Sequence, residues 1–461
     1  MGESRVDHTA DVTDVRIGRR PLIAAAAGLT GAALTPAAAR AADGSRGDLP
    51  SVVRALEQVA YPLRSTEPGG GFADLRPLGA MLGGATVVGL GEATHGTHEF
   101  FTMKERVFRY LVAEHGFTTF ALEMSWPSGL RVDAYVQGGP GNARELVRDA
   151  FGGSPWEREE FVHLIAWMRD HNRRNPHRRV HFMGCDAAAP RAGDEFFERI
   201  TGYVREHQPH LLARVSALYA GLRPLDDHLA YLNKPLEERR LLAANARQAL
   251  TVLRDPRRGA AAGAESFEWV EQHARCVAET AAFLAFDLGD AAVVPTAMRY
   301  RDRLMARNVS WWQRHTGHKV LVSAHNSHVA YVSDLPREYP KVQGAFLRDV
   351  YGDAYRAIGF TFRQGSFLSS DAAVGGTWRK FGIGPAAPGT TEHTLGQVRH
   401  RAYYLDVHRV PAAARTWLAA PHPVTSIGTQ YPGPSAEATV SRSYDVLMHL
   451  DTVTEAAFLR P

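Results

Sequence analysis

Cysteine is nearly absent. A chain of 461 residues has two, Cys185 and Cys276, far apart and in no ligand-pair spacing, so a disulfide framework and a cysteine metal knuckle are both poorly supported. Each reads better as a small buried hydrophobe than as half of a bridge, and two thiols do not fix a redox compartment. Charge of one sign is also missing: 53 Lys and Arg stand against 49 Asp and Glu, a net charge of +4. No basic block is interleaved with aromatics, and RRNPHRR, Arg173 to Arg179, reads as a solvated loop before a strand. Nucleic-acid binding therefore has little support. No P-loop or dinucleotide glycine pattern follows any strand, which argues against nucleotide chemistry. Ser323 and Ser327 sit in VSAHNSH, outside any G-x-S-x-G elbow, so a serine nucleophile is weakly supported.

Long apolar runs are lacking as well. The Ala-rich stretch after Arg19-Arg20 is diluted by glycine and threonine and cut by Pro36, so no stable membrane anchor is expected. The arginine pair, the mild apolar run and the small–x–small triplet Ala39-Arg40-Ala41 together predict a twin-arginine export signal over 1–41. The protein would then be secreted or extracytoplasmic, with the export machinery as a transient partner. If the leader is only a disordered Ala-rich segment, the protein is cytoplasmic.

From 42 to 461 the chain reads as one α/β domain. Apolar runs at Ala85 to Leu90, FTTFALEMSW, RVHFMGCD, KVLVSAHNSH and RAIGFTFRQGSF alternate with helical patterns, which predicts a mainly parallel central sheet flanked by helices. The segment 194–288 is almost wholly helical by pattern and longer than a crossover requires. It is expected as a large helical insertion over the catalytic edge, where it would line an apolar cleft.

What the chain does have is a dense polar motif, GEATHGTHEF, directly after the first strand. Glu92 and His95, then Glu123, Asp186 and the pair His325/His328, each follow the C-terminal end of an apolar strand, the edge where parallel sheets bind ligands. Lys104 shares a helix face with Phe100, Val107, Phe108 and Leu111. It either snorkels to water or carries positive charge toward this cluster. His98 and Glu99 would either cap that helix or reach the pocket. The set suits acid–base chemistry by a histidine beside a carboxylate. It also suits zinc held by histidines and a glutamate, although neither HGTHE nor HNSH is the familiar helical zinc motif.

The stretch GLGEATHGTHEFFTMKERVFRYLVAEHGFTTFALE, with RDRLMARNVSWW and VSAHNSHV, resembles the erythromycin esterase family over almost the full mature chain. That resemblance implies an α/β core with a helical part closing a cleft, and hydrolysis of a macrolide lactone without a serine nucleophile; no cofactor is expected. It places the presumed general base on His95 and matches Glu92, Glu123, His325 and His328 to family positions. Lys104 departs from members that have arginine there, which loses the planar fork. Residues and resemblance together give His95 as the base, Glu92 and Glu123 as its orienting carboxylates, and His325, His328 and Lys104 as the oxyanion partners. Asp186, Arg363 and Glu99 are candidates for substrate contacts, and no metal ligand is assigned. Three other readings remain: a metal-dependent hydrolase, cyclisation or elimination of a natural product at the same site, and a non-enzymatic carbohydrate- or polyketide-binding protein.

Overall fold

The computed structural model describes residues 48–254, 264–373 and 376–460. The expected leader over 1–41 lies outside them. The strands in chain order are β1 (Tyr61–Pro62), β2 (Val87–Leu90), β3 (Phe117–Ser125), β4 (His181–Asp186), β5 (Lys319–Ser323) and β6 (Tyr355–Asp371). They continue with β7 (Trp378–Ile383), β8 (Ala402–Asp406), β9 (His422–Val424), β10 (Gln430–Tyr431), β11 (Ala436–Ala438) and β12 (Val446–Val453). The main sheet runs β1-β8-β12-β6-β2-β5-β3-β4, with β7 and β10 paired to β6. From β12 to β4 every neighbouring pair is parallel. Beyond β12, β8 is antiparallel to β12 and the edge strand β1 is antiparallel to β8.

The central strands are apolar because helices cover both faces. Val87, Val88, Gly89 and Leu90 of β2 are all buried. Val87, Ala121, Met183 and Val320 face one apolar cluster, whereas Val88, Phe120, Phe182 and Leu321 face the other. This is the period-2 alternation of strands in a two-sided core. The helix His98–His115 closes on Gly116 in the left-handed conformation at φ 71°, the usual glycine stop.

The helical insertion comprises Asp194–His207, Pro209–Tyr219, His228–Leu232, Leu236–Leu253 and Ala264–Leu284. It joins the sheet through the helix Val294–Thr316. Gln272 donates to Asn308 Oδ1 at 3.0 Å, and Asn308 in turn donates to the Cys185 carbonyl of β4 at 2.9 Å. Trp126, at the exit of β3, donates its indole N–H to His273 Nδ1 at 3.2 Å. A cavity of about 460 Å³ opens where the start of the insertion meets the β3 and β4 exits, lined in part by Pro127, Arg131, Arg191, Asp194 and Asp227. Both cysteines are buried and free. Among the described residues no helix is long and apolar enough to cross a membrane.

Candidate active site

β2, β5, β3 and β4 lie side by side and in parallel, so their C-terminal ends deliver side chains to one place. The turn after β2 is tight. A side chain at Gly91 would collide with Asn326, and one at Gly96 with the backbone of Leu368. The two glycines of the motif are thus required by close approach. Asn326 locks the β5 exit to β6, accepting from Phe360 N at 3.0 Å and donating to Phe360 O at 2.7 Å.

Glu92 is fully buried. Its Oε1 lies 2.5 Å from His95 Nδ1, and its Oε2 accepts from Lys104 Nζ. Lys104 also donates to the Ala324 carbonyl at 3.2 Å. Burial pushes the Glu92 carboxyl up, but Lys104 and His95 outweigh it and hold the group below its ordinary range. Burial lowers the Lys104 ammonium against the pull of Glu92. With Glu92 ionised, His95 Nδ1 is the donor and Nε2 carries the free lone pair, a tautomer assigned from the hydrogen bonds.

The neighbouring His325 is the opposite case. Its Nδ1 accepts from Ser327 N at 3.3 Å and lies 3.0 Å from Ser327 Oγ. Burial and the adjacent His95 lower its pKa to about 4, so the ring is neutral with its proton on Nε2. That Nε2 is buried and has no hydrogen-bond partner among the described residues. The two rings lie with centroids 5.0 Å apart, and the Trp156 ring meets His95 edge-on at 5.9 Å.

Glu123 accepts from His325 N at 2.9 Å on Oε2 and from Arg301 Nη2 at 3.0 Å on Oε1. His328 Nε2 lies 3.2 Å from the same Oε1, and its Nδ1 lies 2.7 Å from Asp302. Burial opposes charge on His328, but Asp302 and Glu123 outweigh it and raise its pKa to about 10. Burial would likewise raise Glu123, yet His328, His95 and Arg301 hold it well below the ordinary carboxylate range. Arg301 also clasps Asp186, with Nε to Oδ1 at 2.9 Å and Nη2 to Oδ2 at 2.6 Å. Asp186 Oδ1 accepts from Ala187 N at 2.7 Å as well.

The structure therefore brings together Glu92, His95, Lys104, Glu123, Asp186, His325 and His328. It gives three of them partners that the sequence did not suggest. Lys104 is bound to Glu92, His328 has both nitrogens engaged between carboxylates, and Asp186 is held by an arginine. Two candidates lie apart from the cluster. Glu99 accepts from Thr454 N at 2.7 Å and Oγ1 at 2.8 Å, tying its helix to the end of β12. Arg363 pairs with Asp451 at 2.5 Å. His98 binds Glu160 at 2.6 Å. The residues that sequence reasoning missed are Arg301 and Asp302, a buried charged pair on the helix Val294–Thr316. Their signal was helical spacing, since Arg301 and Asp302 share a stripe with Met298 and Met305, as Lys104 does with its own apolar neighbours.

Metal chemistry would have to use the nitrogens left over. Only His95 Nε2 and His325 Nε2 have no protein partner in the hydrogen bonds above, and among the described residues no group of three His, Cys, Asp or Glu side chains is arranged to hold a metal ion.

The profile of the erythromycin esterase family matches residues 112–453. The Escherichia coli protein named erythromycin esterase type II is 25% identical over 329 residues, 66% of this chain and 75% of that one. Among solved structures, one described as a succinoglycan biosynthesis protein superposes with a TM-score of 0.79 at 30% identity, covering 90% of this chain and 100% of that one. A Bacillus cereus protein superposes at 0.81 with 28% identity, covering 89% and 99%. A variant of an erythromycin esterase in its open conformation reaches 0.66 at 16% identity, covering 86% and 98%, a likeness of fold. The profile spans most of the chain and includes three of the four strand exits that build the site; the chain belongs to the erythromycin esterase family of hydrolases.

Proposed function

We propose that this chain hydrolyses a carboxylic ester or lactone with a water molecule activated by His95. The observation that carries this reading is the opposed state of two adjacent imidazoles. His95 offers a lone pair on Nε2, and His325 offers an N–H on Nε2, with ring centroids 5.0 Å apart. In the proposed step His95 takes a proton from water as the water oxygen bonds to the carbonyl carbon. The carbonyl π electrons move onto oxygen, where His325 Nε2–H receives the charge. Collapse of the tetrahedral species breaks the carbon–oxygen bond to the alcohol, and the proton held on His95 goes to that leaving oxygen.

Glu92 orients His95 and stabilises its imidazolium, and Lys104 keeps Glu92 ionised. Glu123, tied to His325 N, Arg301 and His328, fixes the second imidazole and adds negative potential toward a charging His95. A macrolide-like lactone is the proposed substrate, by analogy with the name of the Escherichia coli relative. The name of the succinoglycan-related structure makes an acylated saccharide the second candidate. The site is tested by incubating the protein with a panel of macrolides, smaller lactones and acylated sugars and weighing the products. Addition of one water to a panel member supports the reading. Product formed without added water would point to cyclisation or elimination at the same residues.

The proposed place of action is outside the cytoplasm, by twin-arginine export with cleavage after Ala41. Replacing Arg19-Arg20 by two lysines should retain the precursor in the cell, and export unaffected by that change would refute the route.

A further inference from the structure

We infer that Asp334 and Ser426 form a hydroxyl-recognition subsite beside the reaction centre, a reading that rests on the hydrolytic function proposed above. The carboxylates of the centre are matched by cations: Glu92 by Lys104, Glu123 and Asp186 by Arg301, and Asp302 by His328. Asp334 has no cation partner among the described residues. It is 7% exposed, its Oδ2 accepts from Ser426 Oγ at 2.7 Å, and its Oδ1 is buried with no hydrogen-bond partner among the described residues. A buried carboxylate oxygen without a donor is costly unless something else supplies one.

Chain connections tie the Asp334–Ser426 pair to the segments that carry the site. Ser426 sits between Thr425, whose N donates to Glu392 at 2.7 Å, and Ile427, whose N donates to the Ala93 carbonyl at 2.8 Å. Ala93 is two residues before His95. Asp334 itself follows the short helix Asn326–Val329 that carries His328, and its charge acts on both His325 and Tyr339. The Tyr339 ring in turn packs on His328 at 5.7 Å.

The chemistry of the pair selects its ligand. Ser426 spends its proton on Asp334, so both groups present only acceptor capacity. What they accept is an O–H, and two acceptors side by side suit neighbouring hydroxyls on a ring. Sites built to bind a substrate hydroxyl reject the analogue that lacks it far more strongly than an apolar pocket rejects a misfit.

The test uses two esters that differ only in their hydroxyls, methyl 6-O-acetyl-α-glucopyranoside and its 2,3,4-tri-O-methyl counterpart. The parent should release acetate from the free-hydroxyl ester with a kcat/KM about 10- to 100-fold above that for the methylated one, the range set by hydrogen bonds to a charged acceptor. D334N and S426A should each shrink that ratio, D334N toward one. A ratio unchanged by D334N overturns the assignment, and so does an equal loss on both esters, which would place Asp334 in the machinery instead. Calorimetric binding of the same two esters to H95A keeps the inference separate from the hydrolytic reading. If the parent hydrolyses neither ester, the binding ratio in H95A against H95A/D334N decides the subsite alone. A preference that disappears with Asp334 supports it, and no preference at all refutes it.

Discussion

The imidazoles of His95 and His325 lie with centroids 5.0 Å apart and planes tilted by 56°, one fixed as an acceptor by Glu92 and the other as a donor by Ser327. Adjacent histidines in one protonation state would repel or duplicate each other. In the proposed mechanism the local partners divide the labour, one ring to take a proton and one to hold a developing charge.

Removing the acceptor should therefore remove turnover. His95→Ala is expected to lower kcat by about 10²–10⁴, the usual cost of a lost general base, with an unchanged circular dichroism spectrum. Glu92→Gln should follow in the same direction. Turnover of purified His95→Ala within about threefold of the parent would remove His95 from this role.

The donor has a different signature. His325→Ala should reduce kcat by about 10²–10³ while KM moves little, because an oxyanion contact strengthens in the transition state. Steady-state kinetics on one active ester separates the cases. A rise in KM at constant kcat would mean that His325 only binds substrate.

Arg301 is the hub of the second carboxylate pair and is 5% exposed. Arg301→Met strands two buried carboxylates, Glu123 and Asp186, and should cost about 3–5 kcal/mol of unfolding free energy. Urea denaturation reads this directly. Adding Asp186→Asn should recover part of the loss, and strict additivity of the two changes would argue against the pairing.

His328 gives a pH signature. Its pKa stands at about 10 in the folded chain against 6.5 ordinarily. A group raised in this way contributes stability that is complete below its unfolded value and is lost as pH rises through the folded one. The gap in melting temperature between the parent and His328→Gln should thus be widest near pH 6 and close as pH approaches 10. A gap independent of pH would mean that His328 is neutral in the fold.

Much of this was legible in the sequence. Strand exits are marked by apolar runs that end in polar residues, so Glu92, His95, Glu123, Asp186, His325 and His328 could be placed at one sheet edge from pattern alone. Lys104 was visible as a charge on an apolar helix stripe. Arg301 and Asp302 had the same mark, but their helix begins far from any strand exit and only the crossover brings it back. Partner choice was not legible. Whether Lys104 and His328 face a substrate or a carboxylate depends on side-chain reach across elements more than 200 residues apart in places, as in Lys104 with Ala324 or Glu123 with His325. Glu99 and Arg363 were misleading for different reasons: Glu99 lies in the first turn of its helix and bonds the turn beyond β12, whereas Arg363 lies midway along β6, which runs on to Asp371, and pairs with Asp451 of the neighbouring β12.

The central claim is that water, activated by His95, becomes part of the product acid. The most direct measurement is mass spectrometry of the product formed from a hydrolysed panel substrate in oxygen-18 water, with parent and His95→Ala compared side by side. The account predicts one labelled oxygen, located in the new carboxylate, for the parent and no product from His95→Ala on the same time scale. A product without label, or the same labelled product at an undiminished rate from His95→Ala, would contradict it.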